Sequence, residues 1–196
     1  MKKKLIVHSI VLGIVLLVFA CGSNDHYVPK PHAYPKLALP HKKYFQFENK
    51  DCPFTFQIPH YSIMLPDEDA KGKNWYNLHF PTLNATLHFT YYQFKNWNEY
   101  DSLVADSRSL VNKHLQRAED IIEEPVTNFN PKVPGLIFHI QGNTATNLNF
   151  FTTDSSKHFL RGALYFNKQT QADSIYPVYK FLEEDVNHLL ETFTWK

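Results

Sequence analysis

Trp75-Tyr76-Asn77-Leu78-His79-Phe80 and Leu83-Asn84-Ala85-Thr86-Leu87-His88-Phe89-Thr90-Tyr91-Tyr92, with Asn96-Trp97-Asn98-Glu99-Tyr100 close behind, decide the fold. In the first two runs Tyr76, Leu78 and Phe80 alternate with Asn77 and His79, and Ala85, Leu87, Phe89 and Tyr91 alternate with Thr86, His88 and Thr90. A period of two sends each set to its own face of a pleated strand, so the segment predicts a hairpin with one apolar and one polar face. The period then changes. Asn96 and Glu99 have the spacing of a capping box, and Tyr100, Leu103, Val104, Ser107, Leu110, Val111, His114 and Leu115 fall on one helical stripe. A helix packed on a sheet follows from that switch.

Working outward, the upstream chain is extended. Tyr44, Phe45 and Phe47, then Phe54, Phe56 and Ile58, read as two strands around an Asn49-Lys50-Asp51 turn. Tyr61 to Leu65 is a further short strand, and Pro66-Asp67-Glu68-Asp69 opens an exposed polar loop. Downstream, Ile121 to Val126, Leu136 to Ile140, Asn147 to Thr153 and His158 to Phe166 are extended, the last two joined by an Asp154-Ser155-Ser156-Lys157 turn. A final helix starts near Asp173 or Ser174, takes Pro177 in its first turn and buries Ile175, Val178, Tyr179, Leu182, Val186, Leu189 and Leu190. Phe193 and Trp195 then pin the C-terminus to the core. Strands, helix, strands, helix, with tight turns and no repeated βαβ unit, make an α+β domain: an antiparallel sheet with two helices packed against it. This order of elements resembles the Mog1/PsbP-like fold.

Composition agrees with one packed domain. Hydrophobic residues make up 43% of the 196-residue chain and aromatics 15%, with only 6 glycines, which favours a strand-rich core over disorder. The formal net charge is +1, and near −2 once Lys2, Lys3 and Lys4 are discounted. Lysines scattered among acidic residues form no basic stripe to displace counterions, so no nucleic-acid partner is expected.

The N-terminus carries an address. Lys2-Lys3-Lys4 precede an apolar run that ends Leu17-Val18-Phe19-Ala20-Cys21, the form of a signal peptide closing on a lipid-attachment cysteine. Residues 1–20 are then the cleaved signal, and Cys21 becomes a mature N-terminus bearing acyl chains such as palmitate. His8, Ser9 and Gly13 interrupt the run from Leu5 to Ala20, which falls short of the ~20 apolar residues of a membrane span, so an uncleaved anchor is the weaker alternative. Residues 21–40 contain Pro29, Pro31, Pro35 and Pro40 and no apolar period, which favours an extended tether of roughly 3.1 Å per residue. The same composition fits a plain spacer as well as an ordered docking segment, with Val28, Pro29, Lys30, Pro31 and Tyr34 as candidate partner-binding residues. The single domain is expected over residues 41–196.

No residue pattern names a reaction. With Cys21 lipidated, Cys52 has no partner for a disulfide, and its apolar setting in Cys52-Pro53-Phe54-Thr55-Phe56 reads as a buried small hydrophobe before a nucleophile. The histidines lack metal-binding spacings, although His79, His88 and His139 share a polar sheet face if their strands are neighbours. Nucleophile elbows and phosphate loops are missing from the sequence. Gly142-Asn143-Thr144-Ala145-Thr146-Asn147 reads first as a hairpin turn and second as a site for a sugar or a partner's backbone. Glu183, Glu184 and Asp185, with Glu123 and Glu124, read as solvated faces. Trp75, Tyr91, Tyr92 and Trp97 offer an aromatic patch for a protein partner, with core packing the default. Among these, Trp75, Gly142, Asn143 and Thr144 join the tether residues as candidate contacts. Neither a cofactor nor a metal is called for.

Several segments taken together carry a family likeness. Asp25 and Val28-Pro29-Lys30-Pro31, Asp51-Cys52-Pro53-Phe54-Thr55-Phe56-Gln57-Ile58-Pro59, Trp75-Tyr76-Asn77, Gly142-Asn143-Thr144-Ala145, Lys157-His158-Phe159 and His188-Leu189-Leu190-Glu191 resemble the gliding motility lipoprotein GldD family of Bacteroidota. The resemblance implies a membrane-anchored, non-enzymatic component of the gliding machinery and the associated type IX secretion system. It implies other gliding lipoproteins and secretion components as partners, a periplasmic domain, and no catalytic residue to carry over. The alternative is an envelope enzyme or glycan-binding lipoprotein acting through the Gly142 loop.

Overall fold

The computed structural model describes residues 38–70, 72–167 and 172–196. Leu37–Lys196 clusters as one unit. The expected signal segment, Cys21, and the tether candidates Val28, Pro29, Lys30, Pro31 and Tyr34 lie outside the described residues.

The strands are β1 (Tyr44–Phe47), β2 (Phe54–Pro59), β3 (Ile63–Pro66), β4 (Tyr76–Phe80), β5 (Ala85–Gln93), β6 (Ala118–Pro125), β7 (Gly135–Gly142), β8 (Thr146–Thr153), β9 (His158–Phe166) and β10 (Thr194–Trp195). The helices are α1 (Trp97–Asn112) and α2 (Ala172–Glu191). The strands divide into two antiparallel sheets, one ordered β1-β2-β10 and the other β3-β4-β5-β9-β8-β7-β6. The architecture is α+β, as the periodicity predicts; its division into two sheets is a feature that alternation alone does not specify.

Alternation sorts the larger sheet into two faces. Tyr76, Leu78 and Phe80 of β4 and Ala85, Leu87, Phe89 and Tyr91 of β5 are buried on the inner face. There they meet Phe54, Phe56 and Ile58 of β2, and Val178, Leu182, Val186, Leu189 and Leu190 of α2, in the main core. Burying a phenylalanine or leucine side chain contributes about 1.5–3 kcal/mol, so this inner face supplies much of the driving force for folding. Gly162 is part of that packing, because a Cβ there would come 2.2 Å from a ring carbon of Phe150. The missing side chain lets the Phe150 ring lie across β9.

The outer face carries α1. Asn96 caps it, its Oδ1 accepting from the Glu99 N–H at 3.0 Å, while Glu99 Oε2 accepts from the Lys95 N–H at 2.8 Å. The box thus closes one residue upstream of the usual reciprocal bond. A second, smaller core forms where Val111 and the partly buried Tyr100, Leu103 and Val104 meet Phe138, Ile140, Phe151 and Phe159. The expected helical stripe is only partly buried. The helix ends at Asn112, so His114 and Leu115 lie beyond it, and Leu115 is 58% exposed. α2 begins at Ala172, which puts Pro177 in the second turn rather than the first.

Two further expectations need correction. Glu183 and Asp185 are not on a solvated face: both are buried, Asp185 to 2% exposure, because α2 turns them toward tyrosines and a lysine of the domain. The three sheet histidines do not converge. Asn77, His88, Ala163, Asn149 and Phe138 form one row across the outer face, whereas His139 pairs with Leu148 on the inner face.

Candidate functional site

Gly142, Asn143 and Thr144 form the turn between β7 and β8. Gly142 has φ +102°, a conformation glycine adopts without steric cost. The turn is held from within: Thr144 Oγ1 donates to the Thr146 carbonyl at 2.8 Å, and Asn147 Nδ2 donates to the Ile140 carbonyl at 2.9 Å. Thr144 is buried, and Asn143 and Ala145 face solvent. These bonds account for the polar composition of the loop as turn chemistry.

Trp75 lies at the other end of the sheet, in an aromatic corner. Its indole N–H donates to the Tyr91 carbonyl at 2.9 Å, and its ring meets Tyr92 edge-on at 5.8 Å. Beside it, Tyr91 Oη stands 2.5 Å from His158 Nδ1, and the His158 ring stacks on Trp195 at 5.6 Å. Burial pushes the His158 pKa down, which favours the neutral ring at neutral pH. Cys52, 2% exposed, lies near Asn74 and Tyr76 below this corner, and burial raises its thiol pKa. A buried, protonated thiol is a weak nucleophile. The segments Asp51–Phe54, Trp75–Tyr76 and Lys157–His158 thus meet in space and are used in packing. Trp97 does not join them: it is largely exposed and touches Tyr100.

Composition gave no hint of the knot around Asp185. Its Oδ1 accepts from Tyr44 Oη at 2.8 Å and from Lys42 Nζ at 3.0 Å, and its Oδ2 accepts from Tyr61 Oη. Lys42 also donates to the Phe181 carbonyl at 2.8 Å. Burial, and then the adjacent carboxylate, drive the pKa values of Tyr44 and Tyr61 far above the ordinary range, so both hydroxyls remain donors. A charge taken out of water in this way requires its full set of partners. The arrangement fastens the start of the domain to α2.

The strongest candidate for contact with another molecule is β3. It ends the larger sheet, pairing only with β4, so its far edge has unpaired backbone groups. Its pattern also runs against its surroundings. Met64 packs toward the core, while Ile63 and Leu65 stand in register with His79 and Asn77 on the outer face, 51% and 47% exposed. Two shallow depressions of about 320 and 330 Å³ flank them, the second bounded by Asp67, Glu68 and Asp69. The opposite edge is differently made. β6 carries Glu119, Asp120, Glu123 and Glu124 and a register shift between Ala118 and Asp120, both devices that discourage edge pairing. A short strand ending on Pro66 before an acidic loop was visible in the sequence; that it is a free edge of the larger sheet was not.

A family model described as gliding motility lipoprotein GldD matches residues 24–195 of the chain. No curated protein sequence matches it. Among solved structures, it is similar to the solution structure of cyanobacterial PsbP (CyanoP) from Synechocystis sp. PCC 6803, with 9% identity, 83% of this chain and 98% of that chain covered, and a TM-score of 0.47. Among the described residues no helix is long and apolar enough to cross a membrane, and no group of three or more His, Cys, Asp or Glu side chains is placed to hold a metal ion.

Proposed function

Since the chain belongs to the gliding motility lipoprotein GldD family, we propose that it is a lipid-anchored assembly factor of the gliding machinery and its associated type IX secretion system, working by contact with other envelope proteins and not by catalysis. Acyl chains on Cys21 hold it at a membrane with the domain outside the cytoplasm, and the proline-rich segment through Val28, Pro29, Lys30, Pro31 and Tyr34 spaces the domain from the bilayer. The observation that carries the reading is the unpaired apolar edge of β3, with Ile63 and Leu65 exposed. An extended segment of a partner adds to such an edge through main-chain hydrogen bonds, and alternate side chains supply specificity. Asp67, Glu68 and Asp69 beside the edge favour a segment with basic residues.

Affinity capture from detergent-solubilised envelopes tests this, comparing wild type with an Ile63→Lys/Leu65→Lys variant. Gliding or secretion proteins recovered with the wild type and reduced about tenfold with the variant support the reading, an effect of about 1.4 kcal/mol. Recovery of no such protein by the wild type would contradict it.

A further inference from the structure

Where α1 crosses the outer face of the larger sheet, helix and sheet do not close on each other. Ser107, which with Val111 is buried on the inner side of the helix, donates its hydroxyl to the Leu103 carbonyl at 2.8 Å. Opposite, the row running from His88 to Phe138 passes through Ala163, whose side chain is a single methyl. Two small residues at this crossing leave a cavity of about 450 Å³, within the roughly 300–1,000 Å³ of small-molecule sites.

The lining has two parts. Leu110, Val111, Phe138 and Ala163 make it apolar, while Arg161, Lys113, His88 and His114 are its basic side chains, and it includes no carboxylate. Neither Arg161 nor Lys113 forms an ion pair among the described residues. The last carbonyls of α1 carry a partial negative charge that Lys113 offsets. Net attraction for an anion therefore rests on Arg161, whose planar fork suits a carboxylate or phosphate.

We propose that this cavity binds an amphiphile with an anionic head, its acyl chain against Val111 and Phe138 and its head group on Arg161. The site is separate from the β3 edge and does not depend on the partner reading above. A free fatty acid and a lysophospholipid share this chemistry, and the two are told apart by their head groups.

Isothermal titration of the full chain in a neutral maltoside detergent, with octanoate as the probe, tests the proposal. Saturable 1:1 binding, weakened about tenfold by Arg161→Gln and lost in Ala163→Leu, is expected, a tenfold loss being about 1.4 kcal/mol. Ser107→Leu fills the void from the helix side and should also abolish binding; each variant's thermal melt shows whether it is folded. Tighter binding of lysophosphatidic acid than of octanoate supports a phosphate head, and the reverse order supports a carboxylate. Equal binding of octanol or octyltrimethylammonium, equal binding of inorganic phosphate alone, or undiminished binding in a folded Ala163→Leu variant would overturn the assignment.

Discussion

Tyr44 Oη lies 2.8 Å from Asp185 Oδ1, although 141 residues separate the two in the chain. The bond joins the first strand of the domain to its last helix, and Lys42, just before that strand, donates to the same carboxylate oxygen at 3.0 Å. Asp185→Asn removes the buried charge beside Lys42, which keeps the exposed Glu184 carboxylate at 2.9 Å. Loss of one member of a fully buried pair costs about 3–5 kcal/mol, an upper bound where Glu184 still compensates Lys42, and loss of a neutral hydrogen bond costs about 1 kcal/mol. Urea denaturation should therefore rank Asp185→Asn well below Tyr44→Phe in stability, with unchanged m-values.

A second buried carboxylate gives a dependence on pH. Burial alone would raise the pKa of Glu183, but hydrogen bonds from His139, Lys180 and Tyr179 outweigh it and bring the value down from 4.5 to about 2. His139 Nδ1 is 3.0 Å from its Oε1, and Glu124 approaches the other ring nitrogen at 3.5 Å. A carboxylate with a depressed folded pKa adds stability above its unfolded value, and this is lost as pH falls through the folded one. The Glu183→Gln variant should lose stability at pH 7 and show a shallower decline than wild type between pH 5 and pH 2, as followed by thermal melts across that range.

Gly162→Ala tests the packing of the main core. The added Cβ would lie 2.2 Å from the Phe150 ring, so the ring must move or the strands must part. Overpacking of this kind costs about 1–3 kcal/mol, and a Phe150→Leu change in the same chain should restore part of the loss by making room. Thermal denaturation of the single and double variants measures the coupling directly.

Cys21→Ser tests the anchor. With no acyl chain the domain should fold normally but leave the membrane fraction, and gliding should stop although protein levels are unchanged. Fractionation, circular dichroism and colony spreading read the three parts separately. Retained gliding by a released protein would show that position at the membrane is dispensable.

Much of the fold can be read from local periodicity, and the parts that cannot are long-range. Tyr76 to Tyr92 alternates so regularly that its two faces are evident, and Asn96 with Glu99 marks the start of α1 to the residue. Alternation in β1 and β2, by contrast, does not say that they leave the larger sheet to pair with the two-residue β10. Asp185 sits in an acidic run that looks solvated, and its burial depends on Tyr44 and Tyr61, both more than a hundred residues away. The edge status of β3 has the same origin: Ile63 and Leu65 look like any short strand until the strand order leaves them with one neighbour. Leu110 and Leu115 mislead in the opposite direction: Leu110 borders the open space between α1 and the sheet, and the helix ends before Leu115, so neither is buried as the stripe predicts.

β3 is the surface proposed to touch a partner, and that contact can be tested in place. A photo-crosslinking residue at position 65, on the free edge, and a control at position 122, on the charged edge of β6, can be compared in living, gliding cells. Adducts to gliding or secretion envelope proteins are expected from position 65, and few or none from position 122. Adducts from position 122 alone, or none from position 65 in cells that still glide, would contradict it.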